Sequence, residues 1–114
     1  WKLNGQVIPS EIGVAQAFSR PCLFLDRNNK LHMWFSYRSG DGSSYKIGYG
    51  YKEEKKQKWD VDYKTNNLDI VRSNWNDQMI EYPYVINYEK KLYLFYNGNR
   101  YGMTGIGLAV TDEL

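Results

Sequence analysis

The chain has 114 residues, with 15 basic and 13 acidic side chains and a formal net charge of +2. This length suits one ordinary domain, and the balanced charge gives no electrostatic reason to expect nucleic acid or a membrane surface as a partner. The absence of a long apolar run excludes a transmembrane helix, and the single cysteine, Cys22, excludes an internal disulfide bond. We therefore expect a cytoplasmic location, although a secretion signal could precede Trp1 in a longer protein from which this chain is a fragment.

The first predicted unit covers about residues 1–51. It opens with a strand at Trp1, in the segment WKLNGQVIP, well before Pro21. Three apolar segments follow, separated by turn-forming Gly, Asn, Asp and Ser residues, at positions 20–24, 31–37 and 46–51. The middle segment is apolar on both faces, which is typical of a strand sandwiched between two neighbouring layers.

The second predicted unit, about residues 58–112, repeats this order. Trp59 opens KWDVDYK, and the three apolar segments that follow are residues 82–86, 92–98 and 105–110. The separation along the chain between the two prolines, Pro21 and Pro83, nearly equals that between the two Ile-Gly pairs, which begin at Ile47 and Ile106. Loops absorb the small difference at little cost in free energy.

A tandem repeat of this size with four short strands is typical of a propeller blade. No stretch of the chain shows a sustained helical period, so we expect little or no helix. The sequence therefore predicts an all-β fold made of two four-stranded antiparallel blades. Residues 1–114 would form part of one β-propeller domain.

Several short motifs carry a resemblance to a known family. They are Ser-Arg-Pro at 19–21, Trp-Phe-Ser-Tyr-Arg at 34–38, Tyr-Lys-Ile-Gly-Tyr at 45–49, Trp-Asn-Asp-Gln-Met-Ile-Glu-Tyr-Pro at 75–83, Phe-Tyr-Asn-Gly-Asn at 95–99 and Gly-Ile-Gly-Leu-Ala at 105–109. Together, over about residues 18–110, the chain resembles the glycoside-hydrolase-like five-bladed β-propellers, which include arabinanases, invertases, levansucrases and bacterial proteins of sugar or polysaccharide gene clusters. The resemblance implies two blades of five, a carbohydrate partner, and a site at the starts of the innermost strands.

Two carboxylates are the catalytic candidates. Glycoside hydrolysis usually uses a pair of them, and Glu81 in an apolar inner strand is costly unless it is paired or used. Arabinanase-like enzymes carry a general-acid Glu shortly before a Pro, so the resemblance implies that role for Glu81. Asp77 is the second candidate. The alternatives are an ion pair or a solvent-facing position for Glu81 and a simple turn for Asp77, with the second catalytic carboxylate on another blade.

The substrate-binding candidates are side chains that can hold sugar hydroxyls or acidic groups, or stack on a sugar ring: Arg20, Arg38, Gln78, Tyr82 and Asn99. For Arg38 the alternative is an ion pair with Asp41, for Asn99 ordinary turn chemistry, and for Tyr82 core packing. His32 and Cys22 have no partners of the kind that a catalytic or metal site needs, so we expect structural roles for both, and no metal or other cofactor.

The segment before Glu81 departs from the family pattern, since amides stand at Asn76 and Gln78 where the pattern has carboxylates. The predicted function is a glycosidase-related protein that hydrolyses or transfers a glycosyl unit. Two alternatives stay open. One is a non-catalytic glycan-binding or scaffold propeller. The other is a short chain whose copies form a homo-oligomer to complete the propeller, because two blades alone leave open edges.

Overall fold

The chain folds into two antiparallel sheets, so the predicted all-β class is confirmed. The structure is a computed structural model, and it describes residues 1–64, 68 and 70–112. The first sheet holds, in spatial order, β1 (Ala17–Leu25), β2 (Leu31–Arg38), β3 (Lys46–Lys52) and β4 (Asp60–Asp62). The second sheet holds β5 (Glu81–Tyr88), β6 (Lys91–Asn97) and β7 (Ile106–Asp112), with the short helix α1 (Asn99–Gly102) between β6 and β7.

The prediction of two four-stranded sheets is correct for the first sheet and wrong for the second, which has three strands among the described residues. Residues 1–9 form no strand, whereas the segment that opens at Trp59 supplies β4, which pairs with β3 of the first sheet. Gly5, at a φ of +87°, and Pro9, which has no backbone N–H, both interrupt ladder pairing in the N-terminal segment.

The strands are joined by tight turns whose residues suit them. The two residues between β5 and β6, Glu89 and Lys90, have φ angles of 51° and 61°, which match the twist of the flanking strands. In the turn between β1 and β2, the carboxylate of Asp26 accepts hydrogen bonds from the backbone N–H groups of Asn28 and Lys30, at 2.8 and 2.9 Å. These short connections fix the register of both hairpins.

The first strand of each sheet, β1 and β5, contains the same irregularity. The register of β1 shifts between Ser19 and Cys22, and that of β5 shifts between Glu81 and Tyr84. In each case the residue before the proline has a positive φ, 52° at Arg20 and 55° at Tyr82. A bulge redirects the side chains beside it, so the two units present their residues at these positions in the same way.

The two sheets pack face to face, and both contribute to the core between them. The first sheet contributes Trp34, Ile47 and Tyr49, and the second contributes Val85, Leu92, Leu94 and Tyr96. The thiol of Cys22 accepts a hydrogen bond from the backbone N–H of Val85 at 3.1 Å and so joins β1 to β5. His32 is buried in this layer, with one ring nitrogen 3.0 Å from the carboxylate of Asp26 and the other 2.7 Å from the hydroxyl of Tyr49, so its structural role stays a prediction.

The opposite faces of the two sheets differ in how well they are covered. On the first sheet, Met33, Phe35 and Tyr37 form a second buried cluster with Ala15. On the first sheet, β1 and β2 line an apolar groove of about 390 Å³ that includes Leu23, Met33 and Phe35. On the second sheet, a row of large apolar side chains faces outward: Tyr84, Ile86, Phe95, Ile106, Leu108 and Val110. No helix in the described part of the chain is long and apolar enough to cross a bilayer.

Candidate functional site

The first candidate site lies where the edge strands β1 and β5 of the two sheets meet, and Glu81 is its main residue. Glu81 is the first residue of β5, is 0% exposed, and pairs with Asn97 of β6. Within the described part of the chain, neither oxygen of its carboxyl group has a hydrogen-bond partner. Burial raises the pKa of Glu81 above its ordinary value, while the positive charge of Arg20 opposes part of that rise. A carboxyl group in this setting holds its proton at higher pH than an exposed one.

Arg20 and Tyr82 lie beside each other across the boundary between β1 and β5. The guanidinium carbon of Arg20 is 4.7 Å from the centroid of the Tyr82 ring, within the range of a cation–π contact. The backbone N–H of Tyr82 donates to the hydroxyl of Ser36 on β2 at 2.7 Å. The structure therefore brings three predicted site residues, Glu81, Arg20 and Tyr82, into one group.

Ser19 takes the place in β1 that Glu81 takes in β5, and it was not among the site residues predicted from the sequence. Its hydroxyl is buried and has no hydrogen-bond partner among the residues that the structure describes. Ser19 stands directly before the bulge in β1, as Glu81 does in β5. Comparing Ser19-Arg20-Pro21 with Glu81-Tyr82-Pro83 position by position would have found it. We call Arg20, Glu81 and Tyr82, together with Ser19 as the equivalent of Glu81 on β1, the inner-strand group.

A second candidate site is a cavity of about 220 Å³ at the end of β2, between the β2–β3 loop and helix α1. Its lining includes Arg38, Tyr45, Gln78, Arg100 and Tyr101, and we call it the arginine pocket. Two predicted residues, Arg38 and Gln78, therefore come together here. The guanidinium carbon of Arg38 is 5.1 Å from the Tyr45 ring centroid, and the rings of Tyr45 and Tyr101 meet edge to face at 6.4 Å.

The alternative ion pair between Arg38 and Asp41 is not formed. The carboxylate of Asp41 instead accepts hydrogen bonds from the Ser39 hydroxyl and, at 2.9 Å, from the Ser43 backbone N–H. The bond from Ser39 is the main reason that the pKa of Asp41 is lowered to about 2. Arg38 also makes no salt bridge with any other residue that the structure describes.

Asp77 and Asn99 belong neither to the inner-strand group nor to the lining of the arginine pocket. The amide oxygen of Asn99 accepts the backbone N–H groups of Gln78 and Met79, at 3.0 and 2.9 Å. Its amide nitrogen donates to the carbonyl of Asn74 at 3.1 Å and to the carboxylate of Asp77 at 2.9 Å. The buried carboxamide of Asn99 is thus fully used in positioning the segment that precedes Glu81.

Asn76 has a similar internal use. It is 0% exposed, its amide oxygen accepts the backbone N–H of Ser73 at 2.7 Å, and its amide nitrogen donates to the carbonyl of Val71 at 3.0 Å. An amide supplies both the donor and the acceptor that this loop needs, which a carboxylate could not. Among the described residues, no cluster of three or more His, Cys, Asp or Glu is placed to hold a metal ion.

Comparison with known proteins finds two relatives in Mycobacterium tuberculosis. The chain is 35% identical over 97 residues to an uncharacterized protein of strain CDC 1551, which is 85% of this chain and 31% of that protein. It is 36% identical over 81 residues to an uncharacterized protein of strain H37Rv, which is 71% of this chain and 26% of that protein. The chain thus spans less than a third of the length of these relatives. No protein-family model and no solved structure matches it.

Proposed function

We propose that the chain is part of a carbohydrate-active β-propeller that hydrolyses or transfers a glycosyl unit, with Glu81 as the proton donor. The observation that carries this proposal is the carboxyl group of Glu81, which is fully buried, has no hydrogen-bond partner among the described residues and has a raised pKa. A buried polar group without a partner costs free energy, so the presence of the Glu81 carboxyl at this position points to a use in binding or catalysis. The motifs of the sequence supply the carbohydrate class.

The propeller proposal is supported by how the two sheets correspond. The cross-strand row Cys22–Trp34–Tyr49 of the first sheet corresponds in register to the row Tyr84–Phe95–Leu108 of the second. The first row is packed in the core between the sheets, whereas the second row faces outward. The outward face of the second sheet is thus equivalent to the face with which the first sheet holds its neighbour.

The other faces correspond in the same way. Leu23 and Met33, which line the groove on the first sheet, are equivalent to Val85 and Leu94, which are buried against the first sheet. The contact between the sheets is therefore head to tail, and each open face is suited to another copy of the same unit. Repetition of such a contact generates a ring if the rotation closes.

The relatives have room for such a ring. The matched region, which is 31% of the first relative, holds about one and a half repeats of the length that separates Pro21 from Pro83. The whole of that protein is therefore long enough for about five such repeats. Five blades are the number that the family resemblance implies. The innermost strands β1 and β5 would then face the ring axis, with the inner-strand group at its centre.

In this mechanism the protonated carboxyl group of Glu81 donates its proton to the glycosidic oxygen as the bond to the anomeric carbon breaks. The guanidinium of Arg20, held against Tyr82, is placed to bind sugar hydroxyls next to it. A second carboxylate, as nucleophile or as base for water, would come from another blade.

The second candidate function is a glycan-binding propeller without catalysis. It is favoured by the charges around Glu81. Among the described residues, the charged group that acts on the Glu81 carboxyl is the cation Arg20 and not a second carboxylate. An Asp or Glu in the equivalent position on another blade would favour the enzyme, and its absence would favour the binding protein. Assembly of the propeller from several copies of this chain is compatible with either function.

The test is turnover of a panel of aryl glycosides, with binding to a glycan array, by the complete propeller that contains this chain, because the second carboxylate is expected on another blade. Three forms are compared: the wild type, Glu81→Gln and the matched control Glu54→Gln, which neutralises an exposed carboxylate. We expect Glu81→Gln to lose at least about 100-fold in turnover while glycan binding persists, because only proton transfer is removed. Binding without turnover in all three proteins would support the second candidate. Neither binding nor turnover would contradict both.

A further inference from the structure

The lining of the arginine pocket carries positive charge and no carboxylate. Two arginines, Arg38 and Arg100, are part of it, and none of the described lining residues is an Asp or Glu. The acidic residues nearest in sequence lie outside the lining, and their carboxylates accept hydrogen bonds there, Asp41 from Ser39 and Ser43 and Asp77 from Asn99. The pocket therefore has the electrostatic character of an anion site.

The remaining lining suits a sugar. The Tyr45 ring lies against the Arg38 guanidinium, which restricts the orientation of the fork, and the edge-to-face contact with Tyr101 forms an aromatic corner beside it. Ser44 and Gln78 add neutral hydrogen-bonding groups to the lining. A volume of about 220 Å³ is below the range of sites for drug-sized ligands, so it suits one small ring.

We propose that the arginine pocket binds the carboxylate of an acidic sugar residue, of the uronic acid type, within the glycan. An arginine fork can hold a carboxylate with two parallel hydrogen bonds, which a lysine cannot match. This inference rests on the proposed carbohydrate function and specifies its ligand as an acidic glycan. The protonated Glu81 and the anion-binding pocket then have separate roles, proton transfer and recognition.

The test is a titration of the isotope-labelled 114-residue chain with methyl glucuronoside and, as the neutral counterpart, methyl glucoside, followed by NMR shifts. We expect the acidic sugar to bind at least about tenfold more tightly, and Arg38→Gln and Arg100→Gln each to weaken it about tenfold, since hydrogen bonds to charged groups are the strong ones. Arg38→Lys should recover part of the loss. The control Lys55→Gln removes the same charge from an exposed position outside the pocket lining and should have no effect.

Two results would overturn the inference. One is equal affinity for the acidic and the neutral sugar, and the other is an equal effect of Arg38→Gln and Lys55→Gln. Inorganic sulfate is the third ligand of the series, and binding of sulfate as tight as that of methyl glucuronoside would reject a sugar site in favour of a general anion site. If uronoside binding depends on the arginines but no glycoside is turned over, the pocket stands and the glycosidase proposal fails.

Discussion

The two sheets carry equivalent apolar rows, yet only the first sheet is covered at these positions. Trp34 is 4% exposed and its counterpart Phe95 is 36% exposed, while Ile47 is 0% exposed and its counterpart Ile106 is 73% exposed. The side chains are similarly apolar, so the difference comes from what lies next to each sheet. The second sheet covers the first, and nothing among the described residues covers the second in return.

This contrast teaches that the apolar pattern of a strand shows that a packing partner is needed, but not whether that partner lies in the same chain. In the first sheet, six consecutive residues of β2 are buried, from His32 to Tyr37, because the second sheet covers one face and Phe18, Trp59 and Tyr63 pack against the other. In β6 the buried residues alternate, Leu92, Leu94 and Tyr96, although the residues between them are aromatic. An exposed apolar row of this size is typical of a surface that another protein layer covers.

The largest expected effect tests the contrast directly, with a pair of equivalent substitutions. Trp34→Ala should lower the free energy of unfolding by about 3–5 kcal/mol, because it empties a buried site between the sheets. Phe95→Ala should lower it by less, about 1–2 kcal/mol, because Phe95 is already 36% exposed. Urea unfolding of the two variants measures both values, and equal losses would show that the two sheets are not differently covered.

A smaller effect should be shared by the two sheets. A Cβ at Gly107 would overlap the rings of Tyr96 and Trp75, and one at Gly48 would overlap the ring of Phe35. Gly107→Ala and Gly48→Ala should each destabilise the fold by about 1–3 kcal/mol.

The control for this pair is Gly40→Ala, where the nearest atoms belong to the flexible side chain of the exposed Gln16. Thermal unfolding should place the control within about 0.5 kcal/mol of the wild type. A neutral result at either Gly48 or Gly107 would mean that the ring above that glycine can move aside, and the two units would then differ in packing.

The smallest expected effect concerns the inner-strand group, where Ser19 and Glu81 take equivalent positions. The pKa of Glu81 is raised in the folded state, so the folded chain binds a proton that the unfolded chain has released. The contribution of Glu81 to stability is therefore greatest below its unfolded pKa of about 4.3 and is lost as pH rises through its folded pKa. Glu81→Gln should remove this fall.

Urea unfolding across the range from mildly acidic to mildly basic pH checks this prediction. The exposed control Glu89→Gln should keep the wild-type pH dependence, and Ser19→Ala should keep it too, because Ser19 does not titrate in this range. If Glu81→Gln retained the wild-type profile, the carboxyl group of Glu81 would not be the buried acid on which the proposed mechanism depends.

The sequence predicted the strands of the two units because each strand is marked locally. The prolines, the Ile-Gly pairs and the turn residues all recur in both copies. It did not predict that residues 1–9 form no strand. The segment that begins at Trp1 resembles the segment that begins at Trp59 in composition and spacing, but a strand can pair only where a sheet edge is free. The edge of β3 is occupied by β4, which follows β3 after a short connection.

The candidate site was predictable in part for the same reason. Glu81, Arg20 and Arg38 were found as charges within or beside apolar strands, which is a local signal. The unpartnered hydroxyl of Ser19, the meeting of Arg38 with Arg100 in one pocket and the full engagement of Asn99 depend on contacts between distant segments. Only the folded arrangement reveals which polar groups have satisfied each other.

The central claim is that the two sheets are repeats of a closed ring, and the structure of the Mycobacterium tuberculosis CDC 1551 relative tests it most directly. We predict that the residues equivalent to Phe95 and Leu108 are buried against a third sheet of the same kind. We also predict five sheets around one axis, with the equivalents of Ser19 and Glu81 lining its centre. A structure in which that face contacts solvent or a helical layer, or in which the position of Glu81 lies away from any central channel, would contradict the account.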